Sequence, residues 1–267
     1  MGPEAAPADL PPDERTARLV ALVGECLAGR LAAEAFVELC ERLLVGLALY
    51  PHGPVLATAR GTADRLETSP GLAVDITLRM VSSASREVRG FTAALIWRLA
   101  RFQPGLWVHT ARLLLCDEDW EVRDLAARVF DQRAEGEGAV QFHPDYVCDA
   151  VASWAADSDE RVRRAASQAL LGYAEREIEF RRRLLALLNP LLADESEYVR
   201  RSYAGALRTL GRADPALILE YLEAAASNLN EHSSDTIRTA LDHPFADRFP
   251  ERKAALLSRL ASAEPGH

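Results

Sequence analysis

Apolar residues recur along most of the chain at intervals of three and four, the spacing of helices that bury one face. The pattern is clearest in four stretches that align with one another. They are "EVRGFTAALIWRLA" (87–100), "EVRDLAARVFDQRA" (121–134), "RVRRAASQALLGYA" (161–174) and "YVRRSYAGALRTLG" (198–211). No segment alternates apolar and polar residues with a period of two for long enough to form a sheet. The pattern therefore predicts an all-helical protein.

The four stretches are copies of a repeat. A weaker fifth copy, "TIRTALDHPF", starts at Thr236, and the five starts are separated by 34, 40, 37 and 38 residues. Acidic turns such as "DEDW", "DSDE" and "DESE" precede the copies. A second helix is predicted between successive copies, and three of these four helices open on a proline, which favours a first helical turn. Periods of this length are typical of helical solenoids.

This arrangement resembles HEAT repeats, which implies an all-α fold of the right-handed α-α superhelix class. By that resemblance the "VR" helices are the inner ones and line a concave face. The inner helices are predicted at 86–101, 120–133, 161–174 and 198–212. The N-terminal region also shows helix pairs, but without a clear repeat signature, as expected for a unit that caps the end of a solenoid.

We expect one HEAT-like repeat domain over residues 16–260, between disordered tails at 1–15 and 261–267. The first tail is Pro-rich and acidic and lacks the basic start and apolar core of a targeting segment. No run approaches the roughly eighteen apolar residues of a membrane helix. The four cysteines are far apart, with no histidine at ligand spacing. We therefore predict a cytoplasmic monomer with reduced thiols that uses no membrane, metal or cofactor.

The net charge of −9 is unevenly distributed. The four predicted inner helices contain 14 basic and 4 acidic residues, a net charge of +10, which leaves −19 for the rest of the chain. An arginine-rich groove on an acidic protein is typical of a protein that binds a polyanion.

The arginines of the inner helices fall into two groups. Those of the first group follow the repeated valine or isoleucine, and in HEAT repeats such arginines commonly pair with an acidic turn. They are Arg89, Arg123, Arg163, Arg200 and Arg238. The arginines of the second group do not follow the repeated valine or isoleucine. They are Arg164, Arg201, Arg128 and Arg208. We predict that the second group contacts phosphates, because guanidinium groups on a concave face suit such contacts.

Trp120 and Asp124 stand four residues apart in "WEVRD", so their side chains share one face of the predicted helix. The tryptophan ring can face a cation. The carboxylate can stabilise a developing positive charge or orient a water molecule. Together they suit a reaction of a cationic substrate in which positive charge develops. A structural interpretation stays open: Trp120 packs on a neighbouring repeat, and Asp124 complements the helix dipole and pairs with Arg123 or Arg128.

Three stretches resemble the HEAT-like repeat DNA alkylation repair glycosylases of the AlkC/AlkD superfamily. They are "WEVRD" (120–124), "VRRAA" (162–166) and the segment 187–223, which contains "YVRRS" and "DPALILEYL". The resemblance extends from residue 81 to about residue 225. It implies a DNA N-glycosylase that binds duplex DNA with alkylated bases and excises cationic alkylated purines, with Trp120 and Asp124 as its catalytic residues.

One position departs from this family. Its further aromatic residue on the last inner helix matches Gly205, unless Tyr203 or Tyr198 takes its place. Two other functions stay open. One is a non-catalytic HEAT scaffold for an acidic protein partner, and the other is a protein that binds damaged DNA without excising a base.

Overall fold

The computed structural model describes residues 10–101, 103–131 and 139–262. Regular structure in these ranges is helical, with no strand, so the predicted all-α helical-repeat fold class is confirmed. Residue contacts group the chain into two compact units, Met1–Val147 and Cys148–His267. A single domain over 16–260 stays a prediction.

Helices of the first unit alternate with short turns. They are α1 (Pro12–Leu27), α2 (Ala33–Leu43), α3 (Gly53–Leu66), α4 (Pro70–Met80), α5 (Arg86–Leu99), α6 (Val108–Leu115), α7 (Trp120–Ala126) and α8 (Ala139–Phe142), with a 3-10 turn at Pro104–Leu106. Helix α3 packs against α1 and α5, and α5 packs against α7. These helices therefore form one layer, with α2, α4 and α6 beside it.

The boundary between the units falls within α9 (Pro144–Ala155). The helices that follow are α10 (Glu160–Ala166), α11 (Leu171–Arg176), α12 (Ile178–Leu188), α13 (Glu197–Ala213), α14 (Pro215–Ala225), α15 (Glu231–Leu241), α16 (Pro244–Asp247) and α17 (Pro250–Ser262), with a 3-10 helix at Asn189–Ala193. In this unit α13 packs between α10 and α15.

Helices extend into both predicted tails. Helix α1 begins at Pro12, and Arg15 on its first turn is buried. At the other end, α17 continues to Ser262. The remaining tail residues, 1–9 and 263–267, lie outside the described residues.

The same turn starts each of the four clear repeats. A side-chain oxygen accepts a hydrogen bond from the backbone NH two residues later, at 2.8–3.1 Å, a local contact that opens a helix. The accepting residues are Ser83, Asp117, Asp157 and Asp194. The acidic and serine-rich turns of the sequence therefore stop one helix and start the next.

The arginine that follows the repeated valine braces this turn. In the four clear repeats its Nη1 donates to the carbonyl oxygens five and six residues earlier, at 2.7–3.1 Å. Arg89 also binds the Asp117 carboxylate of the next repeat, and Arg163 binds Asp194 in the same way. The predicted structural role of these arginines is confirmed in the four clear repeats.

Two predicted inner helices, 120–133 and 161–174, are shorter than expected. Helix α7 ends at Ala126, and α10 ends at Ala166 before α11 begins. Tight turns follow each of them, with backbone bonds from Arg128 to Leu125 and from Gln168 to Ala165. In the second case the Ser167 hydroxyl donates to the carbonyl of Arg164 at 2.7 Å and competes with the helical ladder. Residues 132–133 lie outside the described ranges.

Candidate active site

Helix α7 presents Trp120 at its first position. The carboxylate of Asp119 caps the helix by accepting hydrogen bonds from the backbone NH groups of Glu121 and Val122, at 2.8 and 3.4 Å. Val122 turns to the core, whereas 55% of Trp120 is exposed. The ring is therefore displayed on the surface and does not fill a gap between repeats.

The capping carboxylate is held in its charged form. Burial alone raises the pKa of Asp119, but hydrogen bonds from the Glu121 and Val122 NH groups and from Arg86 outweigh it, so the pKa lies below its usual range. Arg86 donates to Asp119 at 3.2 Å and to Glu121 at 2.8 Å. Helix α5 thus fixes the start of α7, where Trp120 lies.

Asp124 lies one turn further along the same face of α7, as its spacing predicts. Its side chain is only 14% exposed. Nη2 of Arg128 lies 3.5 Å and Nε2 of His52 lies 3.3 Å from its Oδ2 atom. Arg123 instead donates to the carbonyls of its own turn. The site therefore includes a histidine for which the sequence pattern predicted no role.

Tyr50 is the second residue of the site that the sequence did not indicate. It is 57% exposed, and its ring centroid lies 5.7 Å from that of Trp120 at an interplanar angle of 53°. The same tyrosine ring meets His52 edge-on, at 5.6 Å and 89°. Tyr50 and Trp120 therefore form one continuous exposed aromatic surface beside the Asp124 carboxylate.

A close contact with helix α5 places the segment that carries Tyr50 and His52. Leu49 is fully buried and packs on Gly90 of α5. A Cβ atom at Gly90 would lie 2.5 Å from the Cδ1 atom of Leu49, so the buried leucine would have to shift to admit any side chain there. Glycine at this position therefore allows the segment before α3 to approach the helix that precedes the site.

The predicted phosphate-binding arginines of the second unit have different surroundings. The Arg164 guanidinium lies over the Tyr198 ring, 5.6 Å from its centroid. The side chain of Arg201 is 75% exposed and pairs with Glu197 one turn earlier, at 2.5 Å. Arg208 donates from Nε to the carbonyl of Thr239 at 2.9 Å. Arg201 is the most accessible of the three, and the role of all three in binding DNA stays a prediction.

The position that departs from the family pattern is open. No atom of the described residues lies within 4 Å of a Cβ built on Gly205, other than those of its own helix backbone and chain neighbours. Tyr203 is buried, and its hydroxyl donates to that of Tyr221 at 3.0 Å. Burial raises the pKa of Tyr203 well above its usual value. Of the two tyrosines considered as replacements, only Tyr198 is exposed.

The remaining tryptophans belong to the core: Trp97, Trp107 and Trp154 are at most 8% exposed. The cysteines are free thiols, and burial raises the pKa of Cys40 far above its usual range. In the described ranges no group of three or more His, Cys, Asp or Glu is placed to hold a metal ion. None of the helices described there is long and apolar enough to cross a membrane.

The family model for "DNA alkylation repair enzyme" matches residues 57–243, more than half of the chain. The chain therefore belongs to the DNA alkylation repair enzyme family, which identifies DNA alkylation repair as its process. Trp120 and Asp124 lie inside the matched range, whereas Tyr50 and His52 lie just before it.

Two solved structures share this fold. AlkD2 from Streptococcus mutans is 19% identical, with a TM-score of 0.61, and the match covers 79% of this chain and 98% of that one. The protein smu.31 from Streptococcus mutans UA159 is 18% identical, with the same TM-score and the same coverage. Comparison with curated protein sequences gave no match.

Proposed function

We propose that the protein is a DNA N-glycosylase that binds duplex DNA and excises cationic alkylated purines. The observation that carries the proposal is the exposed aromatic surface of Tyr50 and Trp120 beside the Asp124 carboxylate. Family membership supplies the process, DNA alkylation repair. The site supplies the two groups that this reaction requires.

The aromatic surface suits the damaged base. A purine alkylated at N7 or N3 carries a positive charge, and a cation over a tryptophan or tyrosine face is stabilised by about 0.5–2 kcal/mol. Trp120 is available for this contact because it is more than half exposed. A surface of this kind can act on a base that stays close to the helical stack.

The carboxylate suits the sugar. When the bond between C1′ and the base nitrogen breaks, its electron pair leaves with the base, which becomes neutral, and positive charge develops on the deoxyribose. Asp124 stabilises this charge and orients the water that adds to C1′ and then loses a proton. The reaction yields the free base and an abasic site and needs no metal or redox cofactor.

DNA contacts come from arginines other than those that follow the repeated valine or isoleucine. Arg201 is the first candidate because its single ion pair is at the surface, where such pairs contribute about 0–1 kcal/mol and are readily exchanged for a phosphate. Arg164, Arg208 and Arg128 are further candidates. Arg128 also lies 3.5 Å from Asp124, so it belongs both to the DNA-contact candidates and to the candidate catalytic site.

The test is release of free base from duplex DNA that carries one 7-methylguanine, at low salt. Wild type is compared with Asp124→Asn and with Glu118→Gln, a control that removes a 91% exposed carboxylate from the turn before α7. We expect release by wild type and Glu118→Gln and at least a hundredfold loss in Asp124→Asn, with DNA affinity retained.

Two other outcomes decide against the proposal. DNA binding without release by wild type would indicate a damaged-DNA binder, in line with the open position at Gly205. No salt-dependent DNA binding at all would favour a scaffold for an acidic protein partner.

A further inference from the structure

We infer that His52 is a positioning residue that holds the Asp124 carboxylate in its place beside the aromatic surface. The effect of His52 on the reaction rests on the proposed function. The contact between His52 and Asp124 rests only on the geometry of the two side chains.

The backbone of His52 is fixed by α3. His52 is the residue before that helix, and its carbonyl oxygen accepts the hydrogen bond of the Leu56 NH at 3.0 Å. Its side chain makes no capping bond to the helix. The ring is therefore held in place by α3 but is not needed to start it.

The ring is directed at the carboxylate of another helix. Nε2 lies 3.3 Å from Oδ2 of Asp124, and the two side chains are 15% and 14% exposed. The ring packs edge-on against Tyr50, which limits its rotation. The same segment thus supplies an aromatic ring to the surface and a nitrogen to the carboxylate.

The surroundings of Nε2 indicate that this atom needs a hydrogen-bond partner. It is shielded from water, and despite its 3.3 Å approach to Asp124 it makes no hydrogen bond to the residues that the structure describes. Buried nitrogen atoms usually have a hydrogen-bond partner, and an exception calls for an explanation. The Asp124 carboxylate, with Oδ2 at 3.3 Å, is an acceptor within reach of this nitrogen.

Arg128 approaches the same oxygen from the turn that follows α7. Its Nη2 lies 3.5 Å from Oδ2 of Asp124. Nitrogen atoms of two separate segments therefore lie close to the same carboxylate oxygen. Arg128 cannot replace His52, because it is four residues from Asp124 on the same segment and moves with it.

A pair of histidine variants separates positioning from general packing. In His52→Gln the amide nitrogen reaches the place of ring Nε2, whereas in His52→Asn it reaches only as far as ring Nδ1. Relative to wild type, we expect His52→Ala and His52→Asn to lower the single-turnover rate of base release about tenfold, equivalent to about 1.4 kcal/mol. His52→Gln restores most of the rate, and all variants bind DNA with unchanged affinity.

Equal rates for wild type and His52→Ala would overturn the inference, and so would equal rates for the glutamine and asparagine variants. Circular dichroism of each variant checks that it is folded. A loss of DNA affinity in place of rate would assign His52 to binding and contradict positioning.

A second measurement does not depend on activity. The Nε2 resonance of His52 in a long-range ¹H–¹⁵N spectrum is expected to move in Asp124→Asn and to stay unchanged in Glu118→Gln. If wild type releases no base, the proposed function fails, and this spectrum alone decides whether His52 holds Asp124. An unchanged resonance in Asp124→Asn would overturn the inference.

Discussion

Replacement of Trp120 by alanine distinguishes a displayed ring from a packing residue. A tryptophan side chain offers up to about 250 Å² of surface. Because 55% of Trp120 is exposed, it buries roughly 110 Å², which at about 25 cal/mol per Å² sets an upper limit of about 2–3 kcal/mol. The alanine that replaces it keeps part of this burial, and water fills the vacated space. We therefore expect Trp120→Ala to lower the free energy of unfolding by about 1–2 kcal/mol.

Trp107 supplies the matched comparison in the same unit. It is only 2% exposed, and truncation of a buried tryptophan costs about 3–5 kcal/mol because a cavity remains. Urea unfolding followed by circular dichroism measures both variants, and comparable m-values show that they unfold alike. If Trp120→Ala loses as much stability as Trp107→Ala, Trp120 is a packing residue and the proposed site is wrong.

Three further predictions follow from other parts of the structure. Arg201→Gln should reduce the slope of log affinity for DNA against log salt by about 0.9, whereas an unchanged slope, matching that of the exposed control Arg182→Gln, would exclude Arg201 from the interface. The pKa of Asp119 is lowered on folding, so its contribution to stability is complete above about pH 5 and is lost as pH falls through the folded-state pKa; unfolding free energies from pH 2 to 7 should therefore depend less on acid in Asp119→Asn, and parallel curves would contradict this. Gly90→Ala places a Cβ atom against buried Leu49 and should cost about 1–3 kcal/mol of unfolding free energy and slow base release, whereas a wild-type rate would show that this contact does not position the site.

The sequence pattern predicts the helices because each repeat is locally encoded. Its acidic turn, its capping residue and its "VR" step each act within a few residues, and Arg89 contacts the acidic turn of the next copy. The shared face of Trp120 and Asp124 follows from helical periodicity alone.

The rest of the site depends on contacts between distant segments. Tyr50 and His52 precede α3 and lie outside the repeat pattern, so no spacing connects them with α7. The sequence offers one weak signal, an aromatic ring and a histidine in "LYPHG" directly before a helix. The contact of Arg208 with the Thr239 carbonyl also joins distant segments. The sequence could not predict it, because every residue has a backbone carbonyl and residue types do not single out this one.

The measurement that tests the central claim most directly is the single-turnover rate of 7-methylguanine release by wild type and Asp124→Asn, with the affinity of both for the same duplex determined in parallel. The account predicts release by wild type, a rate at least a hundredfold lower in Asp124→Asn, and equal affinities. Equal release rates for the two proteins would remove Asp124 from the chemistry, and the absence of release from wild type would contradict the assignment as a glycosylase.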